Sequence, residues 1–229
     1  MTTCPTHEAA APVARRDRRL ASLGPVAQLR AGRLPRRLAQ LLVGLALYGV
    51  TLALLIRSTL GNAPWDVLHQ GLARYLPMSI GTAVIVMSLL VLLLWIPLRE
   101  KPGLGTLANS FLVGLVADRA LAVVAAPDHL GLRAGLLVAG VVLNALATAL
   151  YIGSQFGPGP RDGLMTGLHR RTGLPLGVVR TGIEVTVVAL GWLLGGVVGL
   201  GTLVYTLAIG PLVQLALPWC VVELPERRG

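Results

Sequence analysis

One stretch of this sequence occurs twice, and the two copies lie 96 residues apart in a strongly apolar background. Gly61-Asn-Ala-Pro64-Trp-Asp66-Val-Leu68 returns as Gly157-Pro-Gly-Pro160-Arg-Asp162-Gly-Leu164. The register then holds without a gap, in the pairs Gly71 and Gly167, Gly81 and Gly177, Gly103-Leu-Gly-Thr106 and Gly199-Leu-Gly-Thr202, Gly114 and Gly210. Self-similarity at a fixed period is the signature of a fold assembled from like units. The chain is therefore predicted to contain two copies of one structural unit.

The composition places both copies in a membrane. Apolar residues make up 54% of the chain and charged residues 13%, whereas about a quarter of the residues in a soluble domain are charged. A helix needs about 20 apolar residues to cross the bilayer. Six segments reach that length, at 38–57, 79–98, 104–125, 132–153, 176–196 and 200–220. The last three, shifted back by one period, nearly coincide with the first three, so we predict an all-α transmembrane bundle of about six spans in a 3+3 repeat.

Basic residues predict the orientation of the chain. Eight arginines precede residue 38, and positive charge is enriched on the cytoplasmic side of membrane proteins. Loops on the side of the N-terminus carry more basic residues than the other loops, so we predict a bacterial plasma-membrane protein with both termini cytoplasmic. No aromatic residue alternates with the arginines, which argues against a nucleic-acid partner. The predicted organisation is a disordered basic tail over 1–37, repeats over 38–126 and 132–220, and a short cytoplasmic tail over 221–229.

An odd number of spans in each copy turns the second copy upside down relative to the first. Such inverted repeats build the two gates of many secondary transporters around a site at the middle of the membrane. Inversion predicts that the loop carrying Asp66 lies outside the cell and the loop carrying Asp162 inside, on opposite sides of the membrane.

A short helix is predicted after the first span of each repeat, beginning at the glycine/proline turn. Proline suits the first helical turn, and Asp66 or Asp162 then lies near the positive end of the helix dipole. Two interpretations stay open: an interfacial helix that starts with an aspartate, or a helix that dips into the membrane and lines a solute or ion path. The glycines further along are expected to allow close helix approach. The structural residues of the motif are predicted to be Gly61, Pro64, Gly71, Gly157, Pro160 and Gly167.

Polar residues inside predicted spans are costly and are candidates for function. Glu184 is one, although Arg180 lies one turn earlier and would pair with it within the helix. Asp118 either marks the end of a shorter span or lines a pore. Residues such as Asn144 most often form hydrogen bonds between helices. The candidates for a solute or ion path are Asp66, Asp162, Arg161, Glu184, Asn109 and Tyr205.

Motifs for catalysis and metal binding are missing from the sequence. HExxH, GxSxG and P-loop patterns are absent, and the four histidines are widely separated. The two cysteines form neither a CxxC pair nor a Cys/His cluster. We therefore predict that the protein is not an enzyme and has no cofactor or metal site.

The repeated motif is similar to that of a known group of proteins. Leu60-Gly-Asn-Ala-Pro-Trp-Asp66, its echo Gly157-Pro-Gly-Pro-Arg-Asp162 and the later Gly199-Leu-Gly-Thr202 resemble the YczE/YyaS/YitT bacterial membrane proteins. The resemblance covers residues 38–220. It implies a multi-helix plasma-membrane protein and brings no catalytic or ligand-binding residues with it. YitT-like members carry a soluble C-terminal domain, which is missing here, so the chain is expected to be YczE-like.

The architecture favours a transporter-like permease of unknown substrate, working by alternating access between the two repeats. The runner-up is a non-transporting membrane protein that supports the assembly or activity of a partner. An intramembrane enzyme is the weakest of the three hypotheses, and it would be favoured if Asp66 and Asp162 lay within a few ångströms of each other. Besides the bilayer, the expected partner is an unknown small solute or an unknown membrane protein.

Overall fold

Every regular element that the structure describes is a helix, as predicted. The structure is a computed structural model, and it describes residues 24–224. Six of the helices are long and apolar enough to cross a membrane. The helices are α1 (Pro25–Arg30), α2 (Leu34–Ser58), α3 (Pro64–Tyr75), α4 (Ile80–Leu98), α5 (Leu104–Val123), α6 (Leu130–Gly153), α7 (Pro160–Thr172), α8 (Leu176–Leu193) and α9 (Leu200–Cys220). The six long helices α2, α4, α5, α6, α8 and α9 correspond in order to the six predicted spans, and α3 and α7 to the two short helices.

The predicted disorder of the basic tail is wrong for residues 24–37, which form α1 and the start of α2. Arg37 is fully buried and satisfies three backbone carbonyls, donating from Nε to Ser154, from Nη1 to Gln28 and from Nη2 to Gln155. Its guanidinium also lies 4.4 Å from the centre of the Phe156 ring. The sequence of this segment is typical of a solvated charged tail, but the segment is ordered because the Arg37 guanidinium is buried in the bundle. Residues 1–23 and 225–229 lie outside the described residues.

Helices α2 and α6 pack along their lengths and form the centre of the bundle, with α5 against α2 and α9 against α6. Small residues bring the central pair close together: a Cβ on Gly44 would lie 2.8 Å from the backbone nitrogen of Tyr151. Close packing through small residues is typical of membrane helices, because lipid offers no hydrophobic driving force for association. Large apolar side chains are exposed around the outside of the bundle, where the bilayer is the partner that fits them.

Equivalent backbone hydrogen bonds tie each glycine/proline turn to the other copy. Gly105 donates to the Phe156 carbonyl at 2.9 Å, and Gly201, 96 residues later, donates to the Leu60 carbonyl at 2.8 Å. Gly61 needs its positive φ of 126°, and a Cβ there would lie 2.8 Å from the backbone nitrogens of Gly199 and Thr202. The turn at Gly157 has the same character, with φ of 101°.

These two junctions, the first between Gly105 and Phe156 and the second between Gly201 and Leu60, lie at opposite ends of the bundle. Near the first, Gln40 at the start of α2 donates to the Cys220 carbonyl at the end of α9. Near the second, Arg57 at the end of α2 donates to the Leu121 carbonyl, and Arg133 donates to the Ser58 carbonyl. Helix α2 has 25 residues and therefore separates the junctions by roughly 37 Å at 1.5 Å per residue.

Each short helix packs against the second long helix of the other copy. Helix α3 lies on α8, and α7 lies on α4. A Cβ on Gly71 would lie 2.7 Å from the Gly191 carbonyl oxygen, and one on Gly167 would lie 3.0 Å from the side chain of Glu100. A side chain at either glycine would therefore collide with the element that faces it.

Candidate functional site

Both short helices enter the bundle with their first turn. The first turn of α3 is buried, with Asp66 only 3% exposed, whereas Tyr75 at its far end is 70% exposed. Trp65 anchors that turn by packing with Trp95 and Val187. Pro160 and Gly163 are likewise buried at the start of α7, and the Trp95 indole donates to the Pro160 carbonyl at 3.0 Å. This burial fits the interpretation in which the helices dip inward, rather than the interfacial one.

The first turns of α3 and α7 meet inside the bundle. The Nη2 atom of Arg161 lies 3.7 Å from Oδ1 of Asp66, and its guanidinium lies 5.1 Å from the centre of the Trp65 ring. The expectation that the Asp66 and Asp162 regions stay on opposite sides therefore needs correction. The turns belong to opposite ends of the bundle, but the first turn of each short helix is its buried end, and the aspartate lies in that turn.

The two aspartates are held by different partners. His69 Nδ1 lies 3.1 Å from Asp66 Oδ1, while Asp162 accepts a hydrogen bond from the Tyr151 hydroxyl. Arg161 lies beside Asp66 as well, so the contact across the repeats is an ion pair and not a pair of facing carboxylates. Within residues 24–224, no three His, Cys, Asp or Glu side chains group closely enough to hold a metal ion.

A cavity of about 320 Å³ lies between the two copies. Both first turns line it, together with side chains from all six long helices. Its walls include seven pairs of residues that are 96 apart, namely Ala63 and Gly159, Pro64 and Pro160, Trp65 and Arg161, Val84 and Arg180, Ser88 and Glu184, Asn109 and Tyr205, Val113 and Ile209. Equivalent positions therefore face one shared space, and charge is concentrated on the side of the second copy.

Five of the six residues predicted from the sequence line this cavity, namely Arg161, Asp162, Glu184, Asn109 and Tyr205. The sixth, Asp66, lies directly behind Arg161. Glu184 accepts from Arg180 Nε at 2.8 Å, so the ion pair within the helix is present and is part of the cavity wall. The Tyr205 hydroxyl donates to Asn144 Oδ1 at 2.9 Å, and Asn144 Nδ2 donates to Thr51. Asn144 thereby joins three helices, as expected for an amide buried in a span.

Two tyrosines of the site were not foreseen. Tyr48 and Tyr151 both line the cavity, but a tyrosine in an apolar span is typical of packing. For Tyr48 a signal exists: it is the repeat equivalent of Asn144, as Asn109 is of Tyr205. Each copy thus has one tyrosine and one asparagine at these two positions, in opposite order. Tyr151 is equivalent to Leu55, so the repeat carries no sign of its bond to Asp162.

The joint between the second and third long helices differs between the copies. In the first copy, Gly81 packs against Gly114, and Asp118 accepts from the Ser79 hydroxyl at 2.5 Å and from the Gly81 N–H at 2.8 Å. Asp118 therefore marks the end of its span and does not line the cavity. In the second copy α8 and α9 hardly touch. The cavity reaches Gln214, the equivalent of Asp118, and residues of both helices line it.

The second-copy glycines confirm that this joint is open. A Cβ on Gly177 or Gly210, the equivalents of Gly81 and Gly114, would meet nothing within 4 Å in the described chain. One joint is closed and its counterpart is open, so the bundle is asymmetric where its sequence is repeated.

Residues 35–218 match the model of a family of unknown function, DUF6198. The chain belongs to this family. An uncharacterized protein of Haemophilus influenzae is 40% identical over 81% of this chain and 85% of its own length. The DUF6198 chain is also 30% identical to the uncharacterized membrane protein YczE of Bacillus subtilis, over 75% of this chain and 80% of YczE.

A second Bacillus subtilis relative, the uncharacterized protein YyaS, is 30% identical over 77% of the DUF6198 chain and 90% of its own length. No solved structure gives a significant match. Together with the six apolar helices, these relatives identify a multi-pass membrane protein of YczE type.

Proposed function

We propose that this protein is a bacterial plasma-membrane permease for a small polar solute, in which two inverted three-span repeats expose the central cavity to each side in turn. The observation that carries the proposal is the asymmetry of the two equivalent joints. The joint between α4 and α5 is sealed by Gly81, Gly114 and Asp118, whereas the joint between α8 and α9 is open. Alternating access requires two such gates in opposite states around one site.

Inversion is supported by the equivalent hydrogen bonds of Gly105 and Gly201, which occur at opposite ends of the bundle. The short helices support it too, because discontinuous helices whose N-termini point at a central site are typical of transporters with inverted repeats. Irregular backbone at membrane depth is tolerated where it is buried in protein or lines a water-filled cavity. The turns before Pro64 and Pro160 meet that condition, since both prolines line the cavity.

The opposite state follows by exchanging the two joints. Helix α8 would close on α9 by bringing Gly177 against Gly210, and α4 would part from α5. Parting breaks the two hydrogen bonds that the Asp118 carboxylate accepts, each of which contributes about 1.5–3 kcal/mol because one partner is charged. A bound solute shifts the equilibrium only by its difference in affinity between the two states. Asp118 is thus the gate residue whose loss should favour the opposite state.

Accessibility of the cavity from each side tests the proposal without a known substrate. Ser88→Cys and Met165→Cys place a thiol on the cavity wall from either copy, in a background with Cys4 and Cys220 replaced by serine. Membrane-impermeant maleimide is applied to right-side-out and inside-out vesicles. In the cysteine variants that retain Asp118, labelling is expected mainly from one side of the membrane. Asp118→Asn is expected to raise labelling from the other side several-fold, because it weakens the seal between α4 and α5.

Alternating access would be contradicted if the cavity cysteines were labelled from one side only, and from the same side in the Asp118→Asn variant as in the protein that retains Asp118. That outcome would favour the second hypothesis, a membrane protein that supports a partner. Asp128→Asn is the matched control, since it removes a carboxylate in the loop before α6 and leaves the seal intact.

A further inference from the structure

Arg161 is a cation in the cavity wall whose hydrogen-bond donors are unused. A guanidinium has five N–H donors, and the side chain of Arg161 is 22% exposed. Its closest carboxylate oxygen, on Asp66, is 3.7 Å away, which exceeds a hydrogen-bond distance. No other acceptor within residues 24–224 bonds to it. The other interior arginines differ, because Arg37 donates to three carbonyls and Arg180 to Glu184.

Trp65 supports this cation from the first copy. The residue lines the cavity and is 6% exposed, and the centre of its ring lies 5.1 Å from the Arg161 guanidinium. Its indole Nε1 is buried without a hydrogen-bond partner in the part of the chain that the structure describes, so this atom does not face the cavity. Contact with the ring face holds the guanidinium without using its N–H donors, which leaves them free for acceptor atoms in the cavity.

The acidic side chains of the site do not show a matching demand for a cation. Asp66, Asp162 and Glu184 each have a protein donor, in His69, Tyr151 and Arg180 respectively. Both aspartates also lie in the first turn of a helix, where the positive end of the dipole offsets their charge.

We infer that the cavity binds a small organic anion whose carboxylate or phosphate oxygens accept hydrogen bonds from Arg161. The inference rests on the proposed permease only in making this anion its solute. A guanidinium matches carboxylate and phosphate oxygens with two parallel N–H donors. The cavity volume of about 320 Å³ lies at the lower end for small-molecule sites. Because α8 and α9 hardly touch beside the cavity, the anion is either a water-soluble solute or the headgroup of an anionic lipid.

Binding to the purified full-length protein tests the site. Thermal unfolding and tryptophan fluorescence are measured in neutral detergent at low salt, with inorganic phosphate, acetate, succinate and glycerol 3-phosphate as soluble probes. A second arm compares nanodiscs of phosphatidylcholine with nanodiscs that contain phosphatidylglycerol. At least one probe of either arm is expected to raise the unfolding temperature, and choline and glucose are not. The arm that responds identifies the source of the anion.

Substitutions locate the effect. Arg161→Gln is expected to weaken binding about tenfold or more, because charge-assisted hydrogen bonds are lost. Arg161→Lys should retain part of the affinity. The matched control is Arg74→Gln, at the far end of α3, which should bind as the wild type does.

The inference is overturned if no probe stabilises the wild type, or if Arg161→Lys binds as tightly as the wild type. The lysine variant keeps the test decisive even if Arg161→Gln does not fold. If a probe binds but is not taken up into proteoliposomes, the anion site is supported and the permease is contradicted. If the cysteines in the cavity are labelled from both sides but no anion binds, alternating access is supported and the anion site is contradicted.

Discussion

Arg37 shows how a single buried charge organises one end of the bundle. Its three donors bond to carbonyls in α1 and in the turn after α6, so it joins segments that are more than 100 residues apart. We predict that Arg37→Ala lowers the free energy of unfolding by about 3 kcal/mol or more, since hydrogen bonds to a charged group contribute about 1.5–3 kcal/mol each. Equilibrium unfolding in mixed micelles measures the change.

Arg36→Ala is the control for this prediction, because Arg36 is exposed on the neighbouring position. A surface substitution of this kind is expected to stay within about 0.5 kcal/mol of the wild type. Equal losses from the two variants would mean that Arg37 acts as a general positive charge and not through its three carbonyl partners.

Residues of the site were foreseen where the repeat or the cost of burial marked them. Asp162 and Arg161 stand in the duplicated motif, and Glu184 is a charge in an apolar span, so each carries a visible signal. Tyr151 carries none, because only the fold places its hydroxyl against Asp162. The role of Arg37 has no local signal either, because nothing in an arginine-rich segment indicates that one arginine bonds to a carbonyl of α1 and to two carbonyls after α6.

The elements themselves were largely readable from the sequence. Apolar length located the six long helices, and the glycine/proline turn located the starts of α3 and α7 at Pro64 and Pro160. The depth of the short helices was not readable, because an aspartate at a helix start is equally suited to an interface. Depth follows from long-range packing, in which Trp65 and Trp95 of the first copy pack with Val187 of the second.

The two copies provide a matched pair of glycines for testing the joints. A Cβ on Gly114 would collide with the Gly81 carbonyl, whereas one on Gly210 would meet nothing within 4 Å. We predict that Gly114→Ala lowers the free energy of unfolding by about 1–3 kcal/mol through overpacking. Gly210→Ala should change it by less than about 0.5 kcal/mol. Thermal unfolding of the two variants side by side measures the difference, and equal effects would contradict an open joint between α8 and α9.

At the scale of the whole molecule, two similar units differ in polarity where they face each other. The first copy contributes Trp65, Val84 and Ser88 to the cavity, and the second contributes Arg161, Arg180 and Glu184 at the equivalent positions. The closed joint belongs to the first copy and the open joint to the second. Duplication thus supplies the frame, and divergence between the copies supplies both the charged wall and the asymmetry of the gates.

The orientation of the molecule decides which way the open joint faces. Several basic residues lie toward the end of the bundle where α2 starts and α9 ends, namely Arg30, Arg33, Arg36, Arg37, Arg99, Lys101, Arg170 and Arg171. Positive charge in short loops is retained in the cytoplasm. We therefore predict that both termini and the opening between α8 and α9, where Gln214 borders the cavity, are on the cytoplasmic side.

Reporter fusions check this orientation. Green fluorescent protein should fluoresce when fused at the C-terminus or after Lys101, in the loop before α5. Alkaline phosphatase should be active only when fused after Asp128, in the loop before α6, because it folds outside the cytoplasm. Active phosphatase at the C-terminus would reverse the molecule and turn the open joint outward. The internal geometry of the two gates would stand, but the solute would then first meet the charged wall of the second copy from outside the cell.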